Sequence, residues 1–298
     1  MKFCHITPID HLDLVKGSQS HLTLAHIVSG MEGSEEQIEK YCEFYKKEKS
    51  HAELNGLPYI NIMDNSAFEL YKNKLPMFNP SELLDLAKKV HATHIVLPDH
   101  PAHPSMVTID DAKMYAPVFK QAGFKTFFVP QSDIGDLEDL ITAFAWAASS
   151  PLIDYIGISI LAVPNAYNCE TGNSLQRFVS RWKFMNELYD RNLLQLAAQN
   201  GKKIHFLGMV DGPMEIPLVR DFHIDTWDSS AGVWAGLNGI AFDHSPTGLI
   251  NGKFEKHVDF TSSFDDTTIA ESNMRVIDNL VERLSLIHIS EPTRQLQI

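Results

Sequence analysis

The sequence predicts a (β/α)8 barrel, and three observations support this fold class. Eight short apolar runs, rich in β-branched and aromatic residues, recur along the chain. Segments with helix signals separate most of these runs. The runs are apolar almost throughout, as strands covered on both faces are. Alternating strands and helices imply a parallel sheet, and eight such units favour closure into a barrel.

The predicted strands are, in chain order, KFCHIT, LTLAHIV, YINIMD, HIVLPD, KTFFVPQ, YIGISI, IHFLGMV and HIDTWD. The connection between the first two runs is short and contains Gly and Ser, so the first unit is expected to be irregular. An open doubly wound sheet is the structural alternative. The sequence contains neither GxGxxG nor a P-loop, which weakens a nucleotide-cofactor version of that alternative, and no organic cofactor is expected.

Two of the intervening segments carry clear helix-start signals. SEEQIEKYCEFYKK places Ser34 as a cap with Gln37 three residues later, which predicts a capping box. NPSELLDLAKKV has Asn79 as the cap, Pro80 at the first helical position and Glu82 placed to close a second capping box.

The remaining elements follow from longer patterns. LITAFAWAASSPLIDYIGISILAV is interrupted by Pro151 and Asp154, which favours a buried helix followed by a buried strand over a membrane span. The longest helical pattern is SLQRFVSRWKFMNELYDRNLLQLAAQNG, ending at Gly201. After the last strand we expect a short C-terminal hairpin and helix, from about Trp234 to Arg283.

Composition limits the class of protein. The chain has 298 residues, 44% of them hydrophobic, and its 25 basic and 38 acidic residues give a net charge of −13, which argues against broad adhesion to nucleic acid. Cys4, Cys42 and Cys169 are far apart and lack CxxC spacing, so we expect no disulfide framework and a cytoplasmic setting. The N-terminus lacks a signal-peptide layout.

Residues 284–298 contain LSLIHISEPTR, which resembles a translated sequencing adapter, so we expect one domain over residues 1–283.

Polar residues occur where the predicted strands end. In a barrel, chemistry is expected at the carboxyl ends of the strands. The residues at these positions are mainly carboxylates, amides and glycines: Asp64, Asp99, Gln131, Gly157, Ser159, Gly208 to Asp211, and Asp228. Three carboxylates and one amide are therefore predicted to converge on one rim, while the adjacent Asp225 is expected to be structural.

This set of groups fits glycosidic-bond chemistry on a guanine nucleotide. Paired carboxylates can divide the work, one stabilising or attacking the anomeric carbon and the other moving protons. Guanine presents two N–H donors beside a carbonyl acceptor. Asp99 can accept from both donors, while Gln131 and the backbone amides of Gly157 and Ile158 can donate to the carbonyl.

The arrangement resembles the tRNA-guanine transglycosylase superfamily, in order, over roughly Tyr59 to Phe260. The family's DSGG(Y/F)Q looks like DNSAFE, which places its proton-transfer aspartate on Asp64 and its base-stacking aromatic on Phe68. Its FDECxPYPA is similar to LPDHPAHPS, which places the guanine-reading aspartate on Asp99.

Further matches follow in the same order. GIVQG resembles FFVPQS and gives Gln131, and AIGGL resembles YIGIS and gives Gly157. YLMGVG looks like HFLGMVDG, which implies that Gly208 and Met209 form the floor of the base pocket. IDMFDCVLPTR resembles IDTWDSSAGVW, which places the nucleophile on Asp228. The family's NGxAF recurs as NGIAF.

The departures bear on the polymer. Family members that act on tRNA carry a Cys-x-Cys-x-x-Cys and His zinc site beyond the nucleophile, whereas this chain has no cysteine after Cys169, so no metal site of that type is expected. SSAGV replaces VLPTR, and Ser66 and Ala67 replace the paired glycines. The chain looks closer to divergent, zinc-free relatives, notably of bacteriophages, that exchange guanine for 7-deazaguanine in DNA. The resemblance therefore implies DNA or tRNA and a free guanine or 7-deazaguanine base as partners.

Two alternatives from other classes stay open. His100 and His103 with Asp99 could ligate zinc or iron in a metal-dependent barrel hydrolase, although such enzymes usually show His-x-His on the first strand and KFCHIT supplies only His5. The chain could instead be a noncatalytic subunit of the same fold, and the retained Asp228 argues against this.

The polymer is expected to bind at a confined basic patch because the net charge is negative. Lys253, Lys256 and His257 are the candidates, against the simpler interpretation that they are solvated surface charges. No membrane partner is expected, and the sequence leaves open whether the chain forms a homodimer.

Overall fold

The sheet is assembled from eight parallel strands. The structure, a computed structural model, describes residues 1–170, 172–209, 212–242 and 255–290, with backbone only for residues 174 and 283–290. The strands are β1 Lys2–His5, β2 Ser20–Leu24, β3 Ile60–Asp64, β4 His94–Val96, β5 Lys125–Phe128, β6 Tyr155–Ser159, β7 Lys203–Leu207 and β8 Thr226–Ser229. They are hydrogen-bonded in the order β1-β8-β7-β6-β5-β4-β3-β2. The predicted (β/α)8 barrel is therefore confirmed.

The barrel is nearly closed, with its seam between β1 and β2. These two strands stand at the ends of the hydrogen-bonded order, and they lie side by side. A side-chain contact crosses the seam, because Cys4 Sγ and Ser20 Oγ are 2.9 Å apart in the buried interior. The first unit is irregular, as predicted, since a 3-10 helix at Ile9–Val15 connects the two strands.

Helices follow most of the strands and cover the outside of the barrel. In the described residues they are α1 Ala25–Val28, α2 Glu35–Leu54, α3 Ala67–Lys72, α4 Pro80–Lys89, α5 Ser105–Gln121, α6 Leu137–Ser149, α7 Ala162–Ala166, α8 Ser174–Asp190, α9 Leu193–Gln199, α10 Glu215–Leu218, α11 Ala231–Leu237 and α12 Thr268–Ser290. The core lies between these helices and the sheet and continues inside the barrel.

The helix-start predictions are largely confirmed. Ser34 and Gln37 form the predicted capping box of α2. Asn79 caps α4 with Pro80 at its first turn, but Asn79 Oδ1 accepts from Ser81 N at 3.0 Å and the predicted box with Glu82 does not form. The short asparagine side chain reaches the amide two residues on.

Two boundaries differ from the prediction. The run LTLAHIV ends as a strand at Leu24, and Ala25–Val28 turns into α1. The long pattern ending at Gly201 is two helices, α8 and α9, because Asn192 takes a left-handed φ of 58° between them. Asparagine tolerates this conformation better than most residues, so it interrupts a periodic helical pattern without an obvious breaker.

The C-terminal part packs as helices. α11 and α12 lie against each other so closely that a Cβ on Gly236 would come within 2.3 Å of the Ala270 backbone. The described residues after β8 contain no strand, and the predicted hairpin falls partly on residues 243–254, outside the described part. α12 continues through residue 290, beyond the predicted domain end at Arg283, and residues 291–298 lie outside the described part.

Candidate active site

A cavity of about 340 Å³ opens at the carboxyl ends of the strands. Its lining includes four carboxylates and no Lys, Arg or His among the described residues. The acidic residues are Asp64, Glu69, Asp99 and Asp228, and the aromatic ones are Phe68, Trp234 and Phe260. An acidic, partly apolar cavity of this kind favours ligands that offer hydrogen-bond donors.

The structure brings together seven of the nine predicted site residues. Those that line the cavity are Asp228, Asp64, Asp99, Gln131, Phe68, Gly208 and Met209. The other two, Gly157 and Ile158, are not among the described residues that line it, and Ser159 and Ile160 of the same chain segment take that place. Val210 and Asp211 lie outside the described residues.

Asp228 is held through one of its two carboxylate oxygens. It faces the barrel interior from β8, and the neighbouring Trp227 points to the opposite side, where it packs on Phe206. Asp228 Oδ1 lies 2.9 Å from His205 Nε2 and accepts from Gly208 N at 3.3 Å. Within the described part of the chain Oδ2 accepts no hydrogen bond. One oxygen is thus fixed and the other is available to a ligand.

His205 is a site residue that the sequence analysis missed. β7 and β8 pair with His205 opposite Thr226, and the Nδ1 of His205 is 2.7 Å from Thr226 Oγ1. One tautomer satisfies both contacts: Thr226 donates to Nδ1, and Nε2–H donates to Asp228. His205 is two residues before the cavity-lining Leu207, and this two-residue spacing is the signal that could have identified it as inward-facing.

A buried ion pair fixes the strand ends beneath Asp228. Arg181 on α8 and Glu215 on α10 are both fully buried, and their closest N–O distance is 2.6 Å. Arg181 also donates to the carbonyls of Leu207 and Gly208, each at 2.8 Å. The Leu207 carbonyl and the Gly208 N–H belong to one peptide group. Arg181 therefore orients the peptide whose N–H points at Asp228.

Gly208 is required by its backbone conformation. Its φ is +69°, and a Cβ there would approach Ile160 Cγ2 to 2.9 Å. Its carbonyl accepts from the Trp227 indole Nε1 at 2.8 Å as well as from Arg181. A side chain at this position would disturb both the turn and the peptide group that contacts Asp228.

Asp64 lies at the end of β3 in an environment suited to proton transfer. Burial raises the pKa of Asp64 well above its usual range, and the charges of Glu69 and Asp228 add to the effect. Its Oδ2 accepts from Ser66 N at 2.9 Å. A carboxyl group with a raised pKa holds a proton that it can pass to a bound ligand.

Asp99 and Gln131 form a joined pair on the cavity wall. Asp99 is 3% exposed and accepts from Asn65 Nδ2 and from Gln131 Nε2, both at 2.5 Å. Burial raises the pKa of Asp99 to about 6, and these hydrogen bonds oppose the rise. Gln131 Oε1 is buried without a hydrogen-bond partner in the described residues. An unpaired buried acceptor beside a carboxylate indicates a ligand that donates.

The turn after Asp64 keeps a left-handed backbone without glycine. Ser66 has φ 58°, and its hydroxyl accepts from His26 N at 3.1 Å and lies 2.9 Å from His26 Nδ1. These contacts offset the strain of a non-glycine residue in this region. Glu69, on the first turn of α3, lines the cavity, and its Oε2 is buried without a partner in the described residues.

Gly157 and Ile158 are buried for reasons of packing. A Cβ on Gly157 would lie 2.6 Å from Phe127 Cε1 and 2.9 Å from Leu207 Cδ1, so the glycine makes room for Phe127 inside the barrel. The Ile158 carbonyl accepts from Arg181 Nη1 at 3.1 Å. Neither residue is among the described residues that line the cavity.

Asp225 lies apart from the cavity, in line with the structural role predicted for it. Its Oδ2 accepts from Ile204 N at 2.9 Å, and Lys203 Nζ pairs with its Oδ1 at 2.9 Å. Burial would raise the pKa of Asp225, but hydrogen bonds from His223 and the Ile204 N–H lower it overall. These contacts fix the start of β8.

The predicted metal ligands are engaged with the protein itself. His100 Nε2 pairs with Asp111 at 2.7 Å, and His103 Nδ1 lies 2.9 Å from the Pro101 carbonyl. Asp99 is bound to Asn65 and Gln131 instead. Among the described residues no three His, Cys, Asp or Glu side chains are grouped so that they could hold a metal ion.

Fold and site together define a (β/α)8-barrel protein with an acidic cavity at the carboxyl ends of its strands. No protein-family model matches the sequence, and no curated protein matches it significantly. None of the helices in the described residues combines the length and apolarity that crossing a membrane requires.

Proposed function

We propose that the protein is a base-exchanging transglycosylase that replaces guanine in a polynucleotide, DNA or tRNA, with a 7-deazaguanine. The observation that carries this proposal is the geometry of Asp228, with one oxygen tethered and the other open to a cavity that also holds Asp64, Asp99 and Gln131. The target nucleotide would leave the base stack to reach this cavity, as chemistry on a base generally requires.

Asp228 is the proposed nucleophile. Its free oxygen attacks C1′ of the sugar from the face opposite the base, forming a C–O bond while the C1′–N9 bond breaks. His205 and the Gly208 N–H hold the other oxygen, so the attacking oxygen needs no reorientation. The departing guanine takes the electron pair of the broken bond.

Asp64 is the proposed proton carrier. It gives a proton to the departing guanine and later accepts the N9 proton of the incoming 7-deazaguanine, whose nitrogen attacks C1′ as Asp228 leaves. Two inversions return the original configuration, and the polymer backbone stays intact. The raised pKa of Asp64 supports this role because burial makes the carboxyl group hold its proton more tightly than an exposed aspartate does.

Asp99 and Gln131 are proposed to recognise the base. Ionised Asp99 can accept from the two N–H donors on guanine's edge, and Gln131 supplies an amide beside it. The cavity of about 340 Å³ is near the lower end of small-molecule sites, which supports one nucleotide entering rather than a strand.

Labelled guanine offered with duplex DNA or with tRNA tests the proposal, because the labelled polymer identifies the substrate. Asp228→Ala is expected to keep its fold and bind polymer but not exchange the base, and only protein with Asp228 should form a denaturant-resistant adduct. Asp225→Ala is the matched comparison, since Asp225 lies outside the cavity lining. Exchange by Asp228→Ala at a near wild-type rate, or an adduct on Asp225, would contradict the assignment. No adduct and no exchange with any polymer would favour a noncatalytic binding protein.

A further inference from the structure

We infer that the exposed face of α3 and the loop after it form the surface on which the polynucleotide strand beside the extruded nucleotide is held. This surface, called the α3 rim, consists of Phe68, Tyr71, Lys72, Lys74 and Leu75. The inference rests on the proposed function and adds to it the place where the polymer, rather than the base, is bound.

The α3 rim is continuous with the cavity. Phe68 lines the cavity and is nevertheless 42% exposed. Tyr71 and Lys72 follow it by three and four residues, so in a helix all three lie on one face. The opposite face of α3 is buried through Ala67 and Leu70. The exposed face therefore leads outward from the mouth of the cavity.

The exposed groups on the rim are apolar or aromatic as well as basic. Tyr71 is 37% exposed and Leu75 is 41% exposed, and the residues from Tyr71 to Pro76 are all exposed. Aromatic side chains of this kind provide platforms on which nucleobases stack, with little dependence on sequence.

Charge favours a phosphate backbone on the rim and disfavours one inside the cavity. The cavity is lined by four carboxylates and, among the described residues, by no cationic side chain, so a phosphate there would be repelled. Lys72 and Lys74 are exposed and have no ion-pair partner within the described residues. Their ammonium groups are therefore free to contact the phosphates that remain outside when one nucleotide enters.

Other candidate cations already have partners in the chain. Lys256 Nζ donates to the Leu237 carbonyl at 3.1 Å and lies 5.6 Å from the Phe264 ring centroid, and His257 pairs with Asp259 at 3.3 Å. Lys253, the third member of the patch predicted from the sequence, lies outside the described residues. Lys72 and Lys74 on the α3 rim are therefore better placed than Lys256 and His257 to contact phosphates.

The test is the double variant Lys72→Glu/Lys74→Glu. Its control is Lys88→Glu/Lys89→Glu at the C-terminal end of α4, which changes the net charge by the same amount. Affinity for labelled DNA and tRNA is measured by fluorescence anisotropy from 50 to 200 mM salt. The salt slope is the change in the logarithm of the association constant per tenfold change in salt concentration, and each phosphate contact contributes about 0.9 to it. Loss of two contacts should therefore reduce the slope by about 1.8 and weaken binding at 0.1 M salt by up to about 60-fold. The control pair should bind as wild type does.

Tyr71→Ala is the second variant, with Tyr71→Phe as its control. Loss of stacking should weaken binding several-fold without changing the salt slope, and phenylalanine should retain most of the affinity. Melting temperature and affinity for free guanine report separately on the fold and the cavity.

The outcomes separate this inference from the proposed function. If wild-type protein exchanges guanine but the lysine variant binds polymer with unchanged affinity and salt slope, the α3 rim is wrong and the transglycosylase proposal stands. If wild-type protein binds the polymer through the rim without exchanging guanine, the surface is supported and the reaction is not. If wild-type protein binds neither DNA nor tRNA, both are overturned.

Discussion

Guanine binding should depend on pH through Asp99. Guanine offers two N–H donors, and only the ionised carboxylate can accept both with its two oxygens, because protonation turns one oxygen into a donor. Burial raises the pKa of Asp99 to about 6. The ionised fraction is then about nine tenths at pH 7 and about one tenth at pH 5, since each pH unit below the pKa reduces it roughly tenfold. We expect the association constant for free guanine to fall about tenfold over that range.

The same shift predicts an opposite effect on stability. The pKa of Asp99 in the folded protein lies above its unfolded value, so the folded state binds the proton more tightly between about pH 4 and 6. The difference between the ordinary pKa of about 4 and a pKa of about 6 corresponds to roughly 3 kcal/mol by which ionised Asp99 destabilises the fold above pH 6. This destabilisation disappears as the pH falls through 6 to 4.

Asp99→Asn separates the two effects. At pH 7 to 8 the variant should unfold with a higher free energy than wild type, by up to about 3 kcal/mol, and the difference should vanish below pH 4. Rotation of the Gln131 amide can satisfy the new side chain, because Gln131 Oε1 has no other partner in the described residues. Guanine affinity should nevertheless fall by about 1–3 kcal/mol, since an amide donor then faces a donor on the base.

Calorimetry with free guanine from pH 5 to 8 measures the affinity, and denaturant unfolding from about pH 3 to 8 measures the stability difference. Asp64→Asn is the matched control, because it removes a neighbouring carboxylate that is proposed to move protons rather than to recognise the base. Guanine affinity that is flat between pH 5 and 7 in wild type, or unchanged selectivity for guanine in Asp99→Asn, would show that the base pocket lies elsewhere.

Three further predictions concern the groups around Asp228. Arg181→Met should lower the free energy of unfolding by about 3–5 kcal/mol because it removes the cationic partner of the buried Glu215 carboxylate, and Arg181→Met/Glu215→Leu should recover part of that loss in denaturant unfolding. Gly157→Ala should cost about 1–3 kcal/mol because its Cβ meets Phe127, and adding Phe127→Leu should restore stability; an unaffected Gly157→Ala would refute the close contact. His205→Asn should slow adduct formation at least about tenfold while guanine affinity stays within twofold, and equal losses in both would indicate general damage to the cavity.

The strands were predictable because buried parallel strands are nearly continuous apolar runs, and all eight form. The errors occurred where a local conformation overrides the pattern. Ala25–Val28 continues an apolar run but turns into a helix, and Asn192 breaks a helical pattern through its backbone conformation. Apolar periodicity carries no information on either event.

The carboxylates of the candidate site could be predicted from the sequence because they follow directly after predicted strands. Strand ends meet at one face of a barrel, so Asp64, Asp99 and Asp228 could be placed together before any coordinates. Arg181 and Glu215 could not, because they lie 34 residues apart on two helices and their burial arises only from tertiary packing. A fully buried ion pair has no sequence signature of its own.

Gly157 has a packing role that the sequence interpretation did not include. The sequence placed a glycine at a strand that reaches the site, and the interpretation gave it a role in presenting backbone N–H groups. In the structure the absent side chain makes room for Phe127, which fills the barrel beneath the cavity. The volume of a residue on the neighbouring strand, which is 30 positions away, decides the identity of this one.

The turn after Asp64 holds a left-handed backbone conformation without a glycine. Ser66 and Ala67 follow Asp64 and Asn65, and a left-handed φ of 58° at Ser66 would ordinarily argue for glycine. The serine hydroxyl contacts His26 through both its backbone N–H and its ring, and Ser66 N still donates to Asp64. The backbone conformation that aims Asp64 into the cavity is therefore held by the contact between the Ser66 side chain and His26 on α1. A glycine would reach the same positive φ without such a contact. If this reasoning holds, Ser66→Gly should preserve the Asp64 geometry and exchange activity, whereas Ser66→Val, which cannot bond to His26 and is β-branched at a positive φ, should lose both stability and activity.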